Sequence, residues 1–442
     1  MPVFLMFLFS AAWSVWHGLD AVFTARLEAE MRKIRQAGHP VTLAELDARY
    51  NRPLLEGENA APVLQQAFAA MEKVEQNAEA LARRLPIVGQ AELPPLGQPL
   101  EPQMVRLIRR WLDRNRRALD LLHKAGRMKD CRFPLDLTKG FSVELRHLAR
   151  LRGAVRLLSL EALAAASAGD GSKAAEAIAT GLKVSRSVHR EPFLVSALVR
   201  IGCCQLAIRN LERAMNIRRR NPEALIPVQR ALIAEATDNF LLGAMVGERC
   251  VGLSAWAEVR KRGARALAGP GGGGDLPLRL IPSFLWKADE AFYLQMMNDY
   301  VEALTLPPPG RYVEAARVAK GLEARIPRWA IMTKLLLPAL EKVFVQAQFH
   351  EARCKTAAVA IAALCFREKN GRYPDRLGAL VPQFIEAVPL DPFDGKPIRY
   401  RKVPGGIIVY SVGEDRRDDG GAMKDLRGPD LAFRLLPRKA SF

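Results

Sequence analysis

The run VYSVGEDRRDDGG, Val409 to Gly421, gathers Glu414, Asp415, Asp418 and Asp419 into one short loop of a chain whose formal net charge is +19. Clustered carboxylates repel one another until a cation neutralises them, and Ca²⁺ takes about six to eight oxygen ligands, although the spacing here is not that of an EF-hand. The other reading is a solvated hairpin-edge loop whose charges discourage pairing with a second strand. His350 and Cys354 stand four residues apart, so on a helix they share a face and offer two ligands to a metal, or simply pack as core residues. His17, His39, His123, His147 and His189 complete the histidines, and none belongs to an HExxH or spaced Cys/His zinc pattern. GLSAW around Ser254 lacks the second glycine of a nucleophile elbow and follows no strand. Asp289 and Glu290 are sequence neighbours that point to different sides of a helix, and KADEAF reads as an ordinary exposed face. GPGGGGD, Gly269 to Asp275, has no Lys-Ser/Thr after it and reads as a flexible linker rather than a phosphate loop. No catalytic set emerges, and the chemistry on offer is binding.

Composition bounds the partners. The chain has 442 residues, 49% hydrophobic and 26% charged, which is enough to bury a large core. Its 66 Lys and Arg against 47 Asp and Glu favour anionic partners. The densest basic run, Arg218 to Arg220, has no interleaved aromatics, so it reads as a solvated face and argues against nucleic acid as the partner. Six cysteines without a CxxC do not make a disulfide scaffold and look like small core hydrophobes.

The elements that must position these groups fall into three segments of a mainly α protein. Residues 1–24, with PVFLMFLFSAAWSVW at their heart, read as an N-terminal membrane anchor helix that places His17, Asp20, Trp13 and Trp16 near an interface. A cleaved signal peptide and a buried helix are the alternatives. Arg26, Arg32, Lys33 and Arg35 follow the segment and by the positive-inside rule argue for a cytoplasmic body. Residues 25–345 carry apolar positions at three- and four-residue spacing and read as a large α-helical bundle or solenoid-like domain. Within it, MVRLIRRWLDRNRRALDLLHKA reads as one amphipathic helix with Met104, Leu107, Ile108, Trp111, Ala118, Leu119 and Leu122 on its buried stripe. ELRHLARLRGAVRLLSLEALAAASAGD and SKAAEAIATGLKVSRSV read as a helical hairpin, and LPPPG at 306–310 as a stiff break.

Residues 346–442 change character. AAVAIAALCF, Ala357 to Phe366, is apolar on every side and reads as a buried helix ended by Gly371 and Pro374. A shorter helix over DRLGALVPQFIE is expected next, then strands over PIRYRKV and IIVYSV joined at Pro404-Gly405-Gly406, and a third over Asp430 to Leu436. The product is a small α+β domain, one long helix on an antiparallel sheet.

NGRYP at Asn370 to Pro374, LDPFDGKPIRYR at Leu390 to Arg401 and YSVGEDRRDDGG at Tyr410 to Gly421 come in the order and similar spacing of the type II secretion pseudopilins, and this segment resembles the C-terminal part of the major pseudopilin. DPFDG stands where that family carries tryptophan and glycine after Asp-Pro. The resemblance implies a long helix packed on a small sheet and a calcium-binding loop. It implies Asp415, Asp418 and Asp419 as carboxylate ligands, with Ser411 or nearby carbonyls completing the oxygen shell. It also tips the soluble part toward the extracytoplasmic side. The function expected from all this is a single-pass, membrane-anchored binding or scaffolding protein of the cell envelope with a protein partner. The alternative is an envelope enzyme whose active site lies in a groove of the helical domain.

Overall fold

The computed structural model describes residues 2–55, 57–71, 79–217, 222–262, 282–320, 322–337, 340–422 and 429–436. The first helices are α1 (Pro2–Gln36), α2 (Leu43–Tyr50), α3 (Ala61–Ala70), α4 (Glu79–Arg83), α5 (Pro102–Arg114) and α6 (Arg116–Gly126). Then come α7 (His147–Ser167), α8 (Gly171–Ser185), α9 (Leu194–Ile217), α10 (Ile226–Thr237) and α11 (Phe240–Arg262). The series ends with α12 (Ser283–Thr305), α13 (Gly310–Ala319), α14 (Leu322–Arg325), α15 (Ile331–Leu336) and α16 (Leu340–Asn370). Three strands follow, β1 (Arg399–Val403), β2 (Gly406–Ser411) and β3 (Leu431–Leu435). The molecule is thus mainly α, with one small sheet near the carboxyl end, as its periodicities predict. The linker reading at 269–275 and the basic run at 218–220 lie outside the described residues.

The expected hairpin forms from α7 and α8, with Asp170 capping α8 by accepting from the Lys173 amide at 2.9 Å. Alanines on both helices allow close packing, and α9 lies against the pair. The single amphipathic helix expected over 104–125 is instead two, α5 and α6, broken at Asn115. The stripe of Ile108, Trp111, Ala118 and Leu122 stays buried across the break. Asn115 is buried within it, and its Nδ2 donates to the Trp111 carbonyl at 3.0 Å, a local bond that competes with the helical ladder.

Helix α1 runs unbroken through the expected anchor segment and into the body, where Ile34 joins a core with α11, α12 and α13. Asp20 is not left bare: Lys287 of α12 donates to it at 2.7 Å and Ser283 at 3.0 Å. Trp16 and Phe23 pack on Phe284 of the same helix. Among the described residues one helix, α9, is long and apolar enough to cross a bilayer by length and composition, and most of its apolar window is buried inside the body. Asp289 and Glu290, read from sequence as an exposed face, are both buried. The reason is local: Asp289 caps α15 from outside, accepting from the amides of Met332 at 2.9 Å and Thr333 at 3.1 Å.

Helix α16 starts in the core that Ile34 shares with α11, α12 and α13 and ends under the sheet, carrying Ala357 to Leu364 fully buried as its all-round apolar pattern requires. Gly371, at φ 74°, ends it. The short helix expected over 375–386 is only a 3₁₀ turn, Leu377–Leu380, because Pro382 removes a backbone donor from the run. The sheet order is β1-β2-β3, antiparallel throughout, and the two-residue turn Pro404-Gly405 places Val403 opposite Gly406. Ile407 and Val409 of β2 and Phe433 and Leu435 of β3 close over α16. The free edge of β3 is covered by α9: Glu212 Oε1 accepts from the Arg434 amide at 2.9 Å, and Asn216 takes the Arg434 carbonyl and the Leu436 amide, both at 2.7 Å.

Candidate ligand cavity and the polar core behind it

A cavity of about 700 Å³ opens between the end of α6, the residues after it, the end of α8 and the face of α10. Arg127, Lys129, Lys183, Arg186, Arg190 and Arg230 line it, against two acids, Asp130 and Glu235. Both acids are already engaged. Asp130 receives Arg190 Nε at 2.9 Å and the Cys131 amide at 2.7 Å. Burial opposes its ionisation, but those donors outweigh burial and lower its pKa. Arg127 leans on Glu176 and Lys129 on Glu58, whereas Lys183 and Arg230 are exposed and have no ion-pair partner among the described residues. His189 sits between these groups with Nδ1 3.1 Å from the Arg186 carbonyl, so its proton is on Nδ1 and Nε2 is left as an acceptor. Burial pushes its pKa down, helped by Arg200 and Arg186. A second hollow of about 910 Å³ between α10 and residues 382–389 has a mixed lining, Arg230 and Lys369 against Glu223, Glu368 and Glu386, and lacks that surplus of cations.

Glu235 and Arg186 lead from the cavity into a buried polar core where α9, α10 and α16 meet. Arg200 is fully buried and donates through Nε to Glu235 at 3.0 Å and through Nη2 to Asp238 at 2.7 Å. Its guanidinium lies 4.3 Å from the ring centre of Phe240. Burial disfavours the Arg200 charge, yet Glu235 and Asp238 more than restore it. For Glu235, burial acts upward and is overcome by Arg200, His350 and Arg186, which hold its carboxyl down at about 2. His350 Nε2 is 3.3 Å from Glu235 Oε2. Burial pushes this imidazole down, while the Glu235 carboxylate beside it acts the other way and holds its pKa above the usual value. Because the bond with Cys354 and burial drive the Cys204 thiol well above its usual range, that sulfur is uncharged near neutrality and Glu235 is the anion facing the ring.

Next to His350 lie two thiols. Cys204 Sγ is 3.9 Å from Cys354 Sγ, and Cys354 Sγ is 4.0 Å from the His350 ring nitrogens. Among the described residues, Cys204, His350 and Cys354 are the group of three whose ligand atoms all lie within 4.8 Å of one another. The four-residue spacing of His350 and Cys354 is what sequence could show, and it does put both on one face of α16. Cys204 arrives from α9, 150 positions earlier, and no local pattern marks it.

The acidic loop is distributed differently. Ser411 is fully buried and donates to Asp391 Oδ1 at 2.9 Å, inward rather than toward the loop. Asp415 Oδ1 accepts from the Arg417 amide at 3.1 Å. Asp418 Oδ1 accepts from Tyr410 Oη at 2.9 Å and the Gly420 amide at 3.0 Å, and Asp419 is exposed. Asp430, which sequence shows only as a strand end, is fully buried beside them. Its Oδ2 accepts from the Gly421 amide at 2.7 Å, while Oδ1 is buried without a hydrogen-bond partner. Burial raises its pKa, and the charges of Asp419 and Asp418 raise it further. Ser254, the centre of GLSAW, lies inside α11 and donates to the Val251 carbonyl at 2.6 Å, an ordinary helical serine.

With the geometry in place, the chain defines a helical protein bearing a cationic cavity and a small sheet. No family model, curated protein or solved structure matches it.

Proposed function

We propose that this chain is a single-pass, membrane-anchored binding protein of the cell envelope, which receives an acidic segment of a partner protein in the cationic cavity. The observation that carries the reading is the surplus of positive charge there, with Lys183 and Arg230 unpaired at the mouth and the two lining acids engaged by neighbouring cations. A cavity of about 700 Å³ is within the usual range for a ligand pocket. Low-dielectric walls such as Leu64, Leu182 and Ala231 strengthen the field felt by an incoming carboxylate. The α1 helix serves as the anchor in this reading. Residues 2–24 rise about 34 Å at about 1.5 Å each, enough for a hydrocarbon core of about 30 Å. Met6, Trp13, Val15 and Val22 are exposed along residues 2–24, and Lys287 neutralises the one acid of that segment, Asp20. The body lies on the extracytoplasmic side, with residues 346–442 as a pseudopilin-like module. The Asp418, Asp419 and Asp430 carboxylates hold calcium there, with Asp415 and Ser411 at the flanks of the loop.

The test uses the full chain in detergent and a labelled glutamate-rich peptide, followed by fluorescence anisotropy. Reversing charge with Lys183→Glu and Arg230→Glu together is expected to weaken binding about tenfold or more, with a flatter dependence on salt. Equal binding of a lysine-rich peptide, or unchanged affinity in the double variant, would remove the proposal. A second reading, an envelope enzyme acting in the same cavity, draws on the neutral acceptor nitrogen of His189 and the buried, unpartnered Ser187 hydroxyl. It is separated by mass spectrometry of the recovered peptide, which a binding protein returns chemically unchanged.

A further inference from the structure

The cluster of two thiols and an imidazole in the polar core has no part in ligand capture, and its composition is unusual. All three side chains are buried, so none is available to solvent chemistry, and sulfur excludes a hard cation such as calcium from the same place. A tetrahedral zinc ion with Zn–S of about 2.3 Å and Zn–N of about 2.0–2.1 Å sets its sulfurs about 3.8 Å apart and sulfur from nitrogen about 3.6 Å. The two sulfurs here are 3.9 Å apart, and each ring nitrogen is 4.0 Å from Cys354 Sγ, so a small turn of the imidazole completes the spacing. Glu235 stands just outside this group: its Oε2 is 3.3 Å from His350 Nε2 and accepts from Arg200 Nε at 3.0 Å, so it holds the far ring nitrogen of His350 and leaves Nδ1 to face the thiols.

We infer that Cys204, His350 and Cys354 bind a structural zinc ion, with Glu235 positioning the His350 ring from outside the metal's ligand set. The ion pins α9 to α16 at the point where the helical body meets the sheet-bearing module. All three ligands are buried, so the remaining position is closed to any substrate and the zinc is structural rather than catalytic. The thiols lose their protons to solvent as the metal enters, so binding is accompanied by proton release and by no redox change.

The experiment uses the full chain purified under reducing conditions without chelator, with metal content read by mass spectrometry and Co²⁺ used as a spectroscopic substitute. One zinc per chain is expected, together with an intense thiolate-to-cobalt band and tetrahedral ligand-field bands on substitution. Cys204→Ser and Cys354→Ser should each lower zinc affinity about tenfold or more, whereas Cys203→Ser, the buried thiol next to the cluster, should leave it unchanged. If the ligand variants fail to fold, the cobalt spectrum of the native chain still decides. Absence of the thiolate band, equal zinc retention in Cys203→Ser and Cys354→Ser, or a Cys204–Cys354 disulfide in the metal-free purified chain would each overturn the inference.

Discussion

Asp391 is fully buried and accepts from the amides of Phe393 at 3.0 Å and Val412 at 2.9 Å and from Ser411 Oγ at 2.9 Å, with Arg399 3.3 Å away. It therefore joins LDPFDG to YSVG, two motifs that sequence could place in order but not in contact. The same feature explains why Ser411 turns inward, and it concentrates any cation chemistry on Asp418, Asp419 and Asp430. Calcium is expected to raise the melting temperature of the chain by a few degrees. The linkage reaches about 2.7 kcal/mol when the free ion is a hundred times its dissociation constant. Asp430→Asn should abolish the shift while leaving the metal-free stability nearly unchanged, because the amide still accepts from Gly421. No shift at millimolar calcium in a calorimeter would dispose of the site. The acidic loop was legible because its residues are consecutive. Asp430 was not, since only the antiparallel return of β3 beside β2 brings it there.

Between elements, His123 of α6 bridges two helices: its Nε2 lies 2.8 Å from Glu161 of α7 and its Nδ1 3.0 Å from Thr180 of α8. The bond to Glu161 leads the effects on the ring and raises its pKa against the opposing pull of burial, with Glu176 adding to the rise and Arg127 opposing it. A raised histidine binds its proton more tightly in the folded chain. Its stabilisation is whole below the unfolded value of about 6.5 and is lost as pH climbs through the higher folded value. The melting temperature of the native chain relative to His123→Gln should therefore fall as pH rises through that window. A constant difference, followed by scanning calorimetry, would contradict the bridge. Helix existence was readable from the apolar stripes, since packing of those stripes is what the fold buries. The break at Asn115 was not, because the stripe continues in phase across it and the interruption comes from one side-chain bond. Asp289 was misread for a related reason: the helix end it caps lies 43 and 44 positions later, at Met332 and Thr333, and local spacing carries no trace of it.

At the scale of the molecule, α1 leaves the body with apolar residues outward and reaches it with Ile34 buried. Under the anchored reading, the full chain should stay with membranes through alkaline carbonate and high-salt washes, and added protease should reach the body once the outer barrier is opened. Release by salt alone, or protection that persists until the inner membrane is lysed, would move the body or detach it. The division into a helical stretch and a helix-on-sheet stretch was visible in the change from three- and four-residue periodicity to two short strand-like runs, PIRYRKV and IIVYSV, joined by Pro404-Gly405-Gly406. What composition did not convey is that α16 belongs to both, beginning among α12 and α13 and finishing beneath β2 and β3.

That shared helix sets an order of events during biosynthesis. Domains generally mature from the amino end as the ribosome delivers them. Here the apolar centre of α16 gains its full cover only when Phe433 and Leu435 have been translated, so α7, α9 and α10 must wait with part of their inner faces bare. The nascent protein accordingly exposes apolar surface until β3 is complete, and a premature stop anywhere before β3 would leave that surface uncovered in a sticky, half-closed product.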